Sequence, residues 1–175
     1  VAALGRIYSA LNRAVVLKQG KVGEGPVVEK IQAKIQEARC KIEEFFNDDF
    51  STPQAMAQLF EVVRLYNQLV PYGSPTKGAS VVASQLFYDF VLEMGQPLAL
   101  FQEDPATFLK QLDDMLLKPM GQSRNDIDRL VEKRNQARKD KNFSESDALR
   151  DQLTQMGIEV RDTPQGTQWE VSKSF

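Results

Sequence analysis

Three cations, Arg134, Arg138 and Lys141, recur at i, i+4 and i+7 and so share one face of a helix. Between residues 129 and 141 there are six Lys or Arg against two acids. Charge at that density suits a solvated helix exterior; taken as function, it offers generic phosphate attraction without sequence reading. Phe143 follows at the corner to the next helix. With Ser144 as N-cap and Asp147 three residues on, Phe143 falls at N′ of a hydrophobic staple and packs toward Ala148 or Leu149. Alternatively its ring stacks on an unpaired base, a contact worth about 1–3 kcal/mol. Asp162 stands at a strand end beside a turn that it can cap.

What the chain lacks narrows the chemistry further. There is no histidine and only one cysteine. The commonest general base, every His-dependent triad and a structural zinc site are thereby removed. Cys40 cannot form an internal disulfide, which fits a reducing cytoplasm, and is expected as a small buried apolar residue on a helix. The net charge of −2 argues against a nonspecific DNA coater but leaves room for a local basic patch. No apolar run approaches the roughly 20 residues that span a bilayer. The opening "VAALGRIYSALNRAVV" lacks a basic leader and keeps its polar residues on one face, so it does not read as a signal peptide. The chain does not open with Met and reads as a piece of something longer.

The elements that must position these residues are mostly helices. Apolar stripes recur at helical spacing: Leu4, Ile7, Tyr8, Leu11 and Val15; then Ile31, Ile35, Ala38, Ile42, Phe45 and Phe46. A third runs Met56, Leu59, Phe60, Val63, Tyr66, Asn67 and Val70, with Asn67 as its polar flaw, and a fourth runs Ala83, Leu86, Phe87, Phe90, Val91 and Met94. The pattern predicts an antiparallel helical bundle. Ser51 with Gln54 has capping-box spacing, and Asp104 with Pro105 opens a short helix. "KQGKVGEGP" and "PYGSPTKG" read as flexible loops. At "KPMGQS", residues 118–123, the composition turns densely charged. We therefore divide the chain into a bundle, 1–120, and a small α+β unit, 121–175.

In that second unit one helix starts at Ser123, with Asp126 three residues on, and turns Ile127, Leu130, Val131 and Ala137 inward. A second helix stops at Gly157. "IEVRDT" and "TQWEV" form a hairpin around "PQG", with Gly166 permitting the turn. Ile158, Val160 and Asp162 share one side of the first strand; Trp169 and Val171 share a face of the second. Trp169 is expected to glue the hairpin to the helices, because two strands alone are marginal in water.

Three segments together, "FNDDFSTPQAMAQLFEVVRLYN", "ALFQEDPATFL" and "IDRLVEKRNQARKDKNFSESDALRDQLTQMGIEVRDTPQGTQW", closely resemble the C-terminal region of cysteinyl-tRNA synthetases. The likeness runs from about residue 40 to 170 and is strongest over 127–169; residues 18–29 and 71–85 match poorly and read as variable linkers. The resemblance implies a DALR-type bundle along the inner side of tRNA(Cys) and a tail reading the GCA anticodon. Carried over position by position, it assigns base contacts to Arg138, Phe143, Asp147 and Asp162, and phosphate contacts to Arg134, Lys139 and Lys141. The family often has Trp where this chain has Phe143, which keeps a stacking face but has less area and no indole donor. Unstacked loop bases expose the edges that carboxylates and a guanidinium can read, while phosphate contacts position the loop without specifying it.

The family's catalytic domain carries HIGH-type and KMSKS-type motifs and a Cys/His zinc site, and none of these occurs here. "EVSKSF" echoes the lysine loop only at the wrong end of the chain. The implied cofactor set is therefore none in this chain, with ATP and zinc belonging to a catalytic domain of the same polypeptide. Implied partners are tRNA(Cys) and that domain, in the cytoplasm and away from membranes. Two other readings stay open: a helical protein-interaction module with a solvated basic face, and a cysteine-ligating paralogue that charges no tRNA. The basic-helix-to-hairpin tail argues against the paralogue.

Overall fold

The computed structural model describes residues 2–163 and 166–172 and is mainly α, closed by a β-hairpin. The chain divides into one compact unit, Ala3–Phe108, and a second from Leu109 onward. The division falls earlier than the composition change at 118–123, for a visible reason. Leu117 belongs to the second unit's apolar cluster, and buried Asp113 accepts the Val171 amide there at 3.2 Å.

The first unit contains α1 (Ala2–Leu17), α2 (Pro26–Asn47), α3 (Thr52–Leu69) and α4 (Ala79–Gly95), each with the apolar stripe expected of it. Its core centres on Ile7, Leu11, Ile35, Leu59, Tyr66 and Phe87, all buried. Tyr66 and Phe87 stack at 4.0 Å, and the Tyr66 hydroxyl shares a hydrogen bond of 2.8 Å with buried Ser84. Asn67 is exposed, and its carbonyl oxygen accepts from Arg13. Ser51 is the N-cap of α3, but its side chain makes no capping bond, so the predicted box does not close.

Two further expectations change. Cys40 is exposed rather than buried. It stands two residues from both Ala38 and Ile42, about 200° around the helix from each, and so on the face opposite the core stripe. The loops read as flexible are paired: β1 (Lys21–Val22) and β2 (Lys77–Gly78) form a short parallel bridge. Gly20 allows the approach, since a Cβ there would lie 2.1 Å from the Thr76 carbonyl oxygen.

The second unit continues α5 (Pro105–Leu117), whose N-terminus is capped by Asp104 accepting the Thr107 amide at 2.9 Å. It then contains α6 (Arg124–Lys139), α7 (Phe143–Gln155), β3 (Ile158–Thr163) and β4 (Gly166–Val171). Leu117, Ile127, Val131, Leu153, Ile158 and Val171 form its core. Antiparallel pairing sets Ile158 opposite Val171, Val160 opposite Trp169 and Asp162 opposite Thr167. Gly166, with φ of 124°, supplies the backbone freedom expected of it; Pro164 and Gln165 of the predicted turn lie outside the described residues.

Candidate nucleic-acid interface

Helix α6 is fixed at both ends by local chemistry. Ser123 and Asp126 form a closed capping box: the Ser123 hydroxyl accepts the Asp126 amide at 3.3 Å and donates to its carboxylate at 2.6 Å. That hydroxyl holds the Asp126 carboxyl below its ordinary range. At the other end Lys141 is left-handed, with φ of 58°; its amide bonds the Arg138 carbonyl at 3.1 Å and the Asn142 amide bonds that of Ala137 at 2.8 Å. This is the Schellman pattern. It fixes the corner at which α7 begins.

The corner moves the α7 cap two residues from its predicted place. Asn142, not Ser144, is the N-cap, accepting the Glu145 amide at 3.3 Å and donating to the Glu145 carboxylate at 2.7 Å. "NFSESD" contains two overlapping cap spacings, and the Schellman end of α6 selects the first. Phe143 is therefore the first helical residue rather than a staple, and it is 63% exposed. Asp147 is likewise exposed.

Across from this corner, Asp162 accepts a fork from Arg134, with Nη1 to Oδ1 at 3.0 Å and Nη2 to Oδ2 at 2.9 Å. Arg138 also donates to Oδ2, and the Thr167 hydroxyl lies 2.9 Å from Oδ1. The Arg134 fork, helped by Thr167 and the charge of Arg138, holds the Asp162 carboxyl well below the usual carboxylate range despite partial burial. The same hydrogen bonds to Asp162 raise the Arg134 guanidinium further, and the Asp147 charge adds to this.

The cations expected on one face differ in placement. Arg134, expected at a phosphate, is buried at 4% exposure, whereas Arg138, Lys139 and Lys141 are exposed. Arg134 lies seven residues after Ile127, three after Val131 and three before Ala137, all buried, so the inward spacing included it. Lys139 and Lys141 enter no ion pair among the described residues. The fold thus gathers Arg134, Arg138 and Asp162, with Asp147 near enough to influence Arg134. Phe143 makes no ring-to-ring contact among the described residues.

Trp169 does what its place in the hairpin suggested. It packs on the tail core, its indole N–H donates to Asp128 of α6 at 2.7 Å, and the Arg124 guanidinium lies 4.6 Å from its ring centroid. Two polar residues escaped the sequence reading. The Asn135 carbonyl oxygen receives Arg134 Nη1 at 3.2 Å and lies 2.9 Å from the Thr167 hydroxyl. Thr167 could have been found from the hairpin register, which sets it opposite Asp162. Among the described residues no cluster of acids or cysteine could hold a metal ion, and no helix is long and apolar enough to cross a membrane.

Comparison with known families gives this arrangement its class. Residues 124–169 match the family described as the cysteinyl-tRNA ligase anticodon binding domain, and residues 41–102 match the DALR domain. A DALR domain followed by an anticodon-binding domain defines the C-terminal region of an aminoacyl-tRNA ligase. The chain is 44% identical over 174 residues to a cysteine–tRNA ligase of Bdellovibrio bacteriovorus, covering 99% of this chain and 36% of the relative. It is 39% identical over 127 residues to that of Syntrophotalea carbinolica, covering 72% of this chain and 26% of the relative. Against that of Alkalilimnicola ehrlichii, identity is 37% over 166 residues, covering 95% and 33%. The chain belongs to the cysteine–tRNA ligase family and corresponds to its C-terminal region. It spans about a third of the length of the curated relatives it matches.

Proposed function

We propose that this chain binds tRNA(Cys), with the bundle along the inner side of the molecule and the tail reading the GCA anticodon. The observation that carries the reading is Phe143: a large ring 63% exposed at a hydrogen-bonded helix corner, within the segment that matches the anticodon binding domain. Its exposure favours stacking on a base over a structural staple. Arg138 and Asp147, half-exposed and exposed, supply a donor and an acceptor for base edges, and Asp162 lies in the same network. Lys139 and Lys141 are free to meet phosphates, positioning the loop without specifying it. Within a full-length relative, ATP-dependent attachment of cysteine to tRNA(Cys) falls to a catalytic domain of the same polypeptide, in the cytoplasm. We assign zinc to that domain because this chain has no histidine and only one cysteine, and ATP because the HIGH-type and KMSKS-type motifs do not occur here.

Nuclease footprinting of a tRNA(Cys) transcript tests the reading. Protection of the anticodon loop that disappears with Phe143→Ala is expected. Protection confined to the rest of the tRNA, unaltered by that substitution, would contradict it.

A further inference from the structure

We infer that Arg134 is a positioning residue for base recognition, holding the Asp162 carboxylate in a fixed orientation while Arg138 is the donor that exchanges onto RNA. The inference rests on the anticodon reading proposed above and assigns Arg134 a role other than phosphate contact.

The argument is an inventory of donors and acceptors. An ionised carboxylate offers about four lone-pair sites. At Asp162, Oδ1 faces Arg134 Nη1 at 3.0 Å and the Thr167 hydroxyl at 2.9 Å; Oδ2 faces Arg134 Nη2 at 2.9 Å and Arg138 Nη1. With all four in place, the amino group of a base finds no acceptor there. A donor must leave first.

The donors differ in how readily they leave. The Thr167 hydroxyl has one proton and lies equally close, at 2.9 Å, to Asp162 Oδ1 and Asn135 Oδ1, so a rotation moves its bond from one to the other. Arg138 is 49% exposed at its side chain and can swing to an RNA acceptor. The Arg134 side chain is 5% exposed, and its Nε is buried with no hydrogen-bond partner. Removing its carboxylate would leave a buried guanidinium without a counter-charge, with only the neutral Asn135 oxygen at 3.2 Å, a costly arrangement. Arg134 therefore stays. Its fork fixes the plane in which the freed lone pairs point. When Arg138 leaves Oδ2, that oxygen opens to a base at the moment the guanidinium becomes available to RNA.

The test compares affinities of the 175-residue chain for a tRNA(Cys) transcript and for the same transcript with its anticodon changed, over a range of salt. R134Q is expected to reduce the cognate-to-swapped ratio about tenfold, the scale of one lost base contact. The salt dependence should stay as in wild type, because Arg134 meets no phosphate. R134K, which retains the charge without the fork, should recover part of the ratio; it also carries the test if R134Q fails to fold by circular dichroism. In a D162N background, R134Q should cause no further loss of the ratio. A uniform weakening toward both transcripts, with the salt slope shallower by about 0.7, would make Arg134 a phosphate contact and overturn the inference. An unchanged ratio in folded R134Q and R134K, or a full extra loss in D162N, would overturn it too. Wild-type protein that fails to distinguish the transcripts would instead remove the anticodon reading itself, and this inference with it.

Discussion

The two units use their aromatic and charged residues differently. In the unit Ala3–Phe108 core rings pair with one another: Tyr66 stacks on Phe87 at 4.0 Å and Tyr8 on Phe108 at 3.6 Å. From Leu109 onward the buried cluster is aliphatic, and the two described aromatics have different roles. Trp169 is held by Asp128 and Arg124, whereas Phe143 stands outside. Leaving such a ring in water forgoes burial worth about 1.5–3 kcal/mol, a large share in so small a unit. Polar residues differ as well. Tyr66 and Ser84 satisfy one another inside the bundle, while the tail joins a buried Arg134 to a partly exposed Asp162 and a half-exposed Arg138. The Tyr66–Ser84 pair is closed inside the bundle core, whereas the Arg134–Asp162–Arg138 network of the tail runs from a buried residue to the surface.

The contrast can be broken most forcefully from the bundle side. Phe87→Ala should cost about 3–5 kcal/mol of stability, read from denaturant unfolding, while anticodon discrimination by the folded fraction is unchanged. Phe143→Ala should do the reverse. Its affinity for tRNA(Cys) should fall by about 1–3 kcal/mol, with unfolding altered by no more than about 0.5 kcal/mol. A Phe143→Ala protein that unfolds easily and binds normally would erase the distinction between the units.

Smaller effects sharpen it. Ser123→Ala opens the capping box of α6 and should cost about 1 kcal/mol, measured as a lower unfolding midpoint for the tail. Acid should act through Asp162. Its folded pKa lies below that of an unfolded aspartate, about 3.9, so its contribution is complete above that pH and is lost as pH falls below it. Unfolding of wild type compared with Asp162→Asn at pH 7 and pH 3 should show the greater acid loss in wild type. Equal losses would mean that the pair adds nothing to folding.

Much of this was legible in the sequence because it is written locally. The four bundle stripes, the Ser123–Asp126 box, the stop at Gly157 and the anchoring by Trp169 all follow from spacing and residue type. The paired loops were not legible, since Lys21 and Lys77 meet through a non-local parallel bridge with no periodic signal. Phe143 was misplaced because two caps overlap, and only the left-handed Lys141 decides between them. Arg134 carried contradictory signals: its charge pointed outward while its spacing from Val131 and Ala137 pointed inward. Spacing prevailed because Asp162, far along the chain, neutralises it. No single-sequence pattern gives that pairing directly, although the hairpin alternation put Asp162 on the same side as Ile158 and Val160.

The central claim is that the surface chemistry of the tail reads an anticodon. It is tested most directly by the ratio of affinities of this chain for a tRNA(Cys) transcript and for one differing only in its anticodon, at a single fixed salt concentration. Preference for the GCA transcript by tenfold or more, about 1.4 kcal/mol, is the predicted result. Equal affinity for the two transcripts would contradict it.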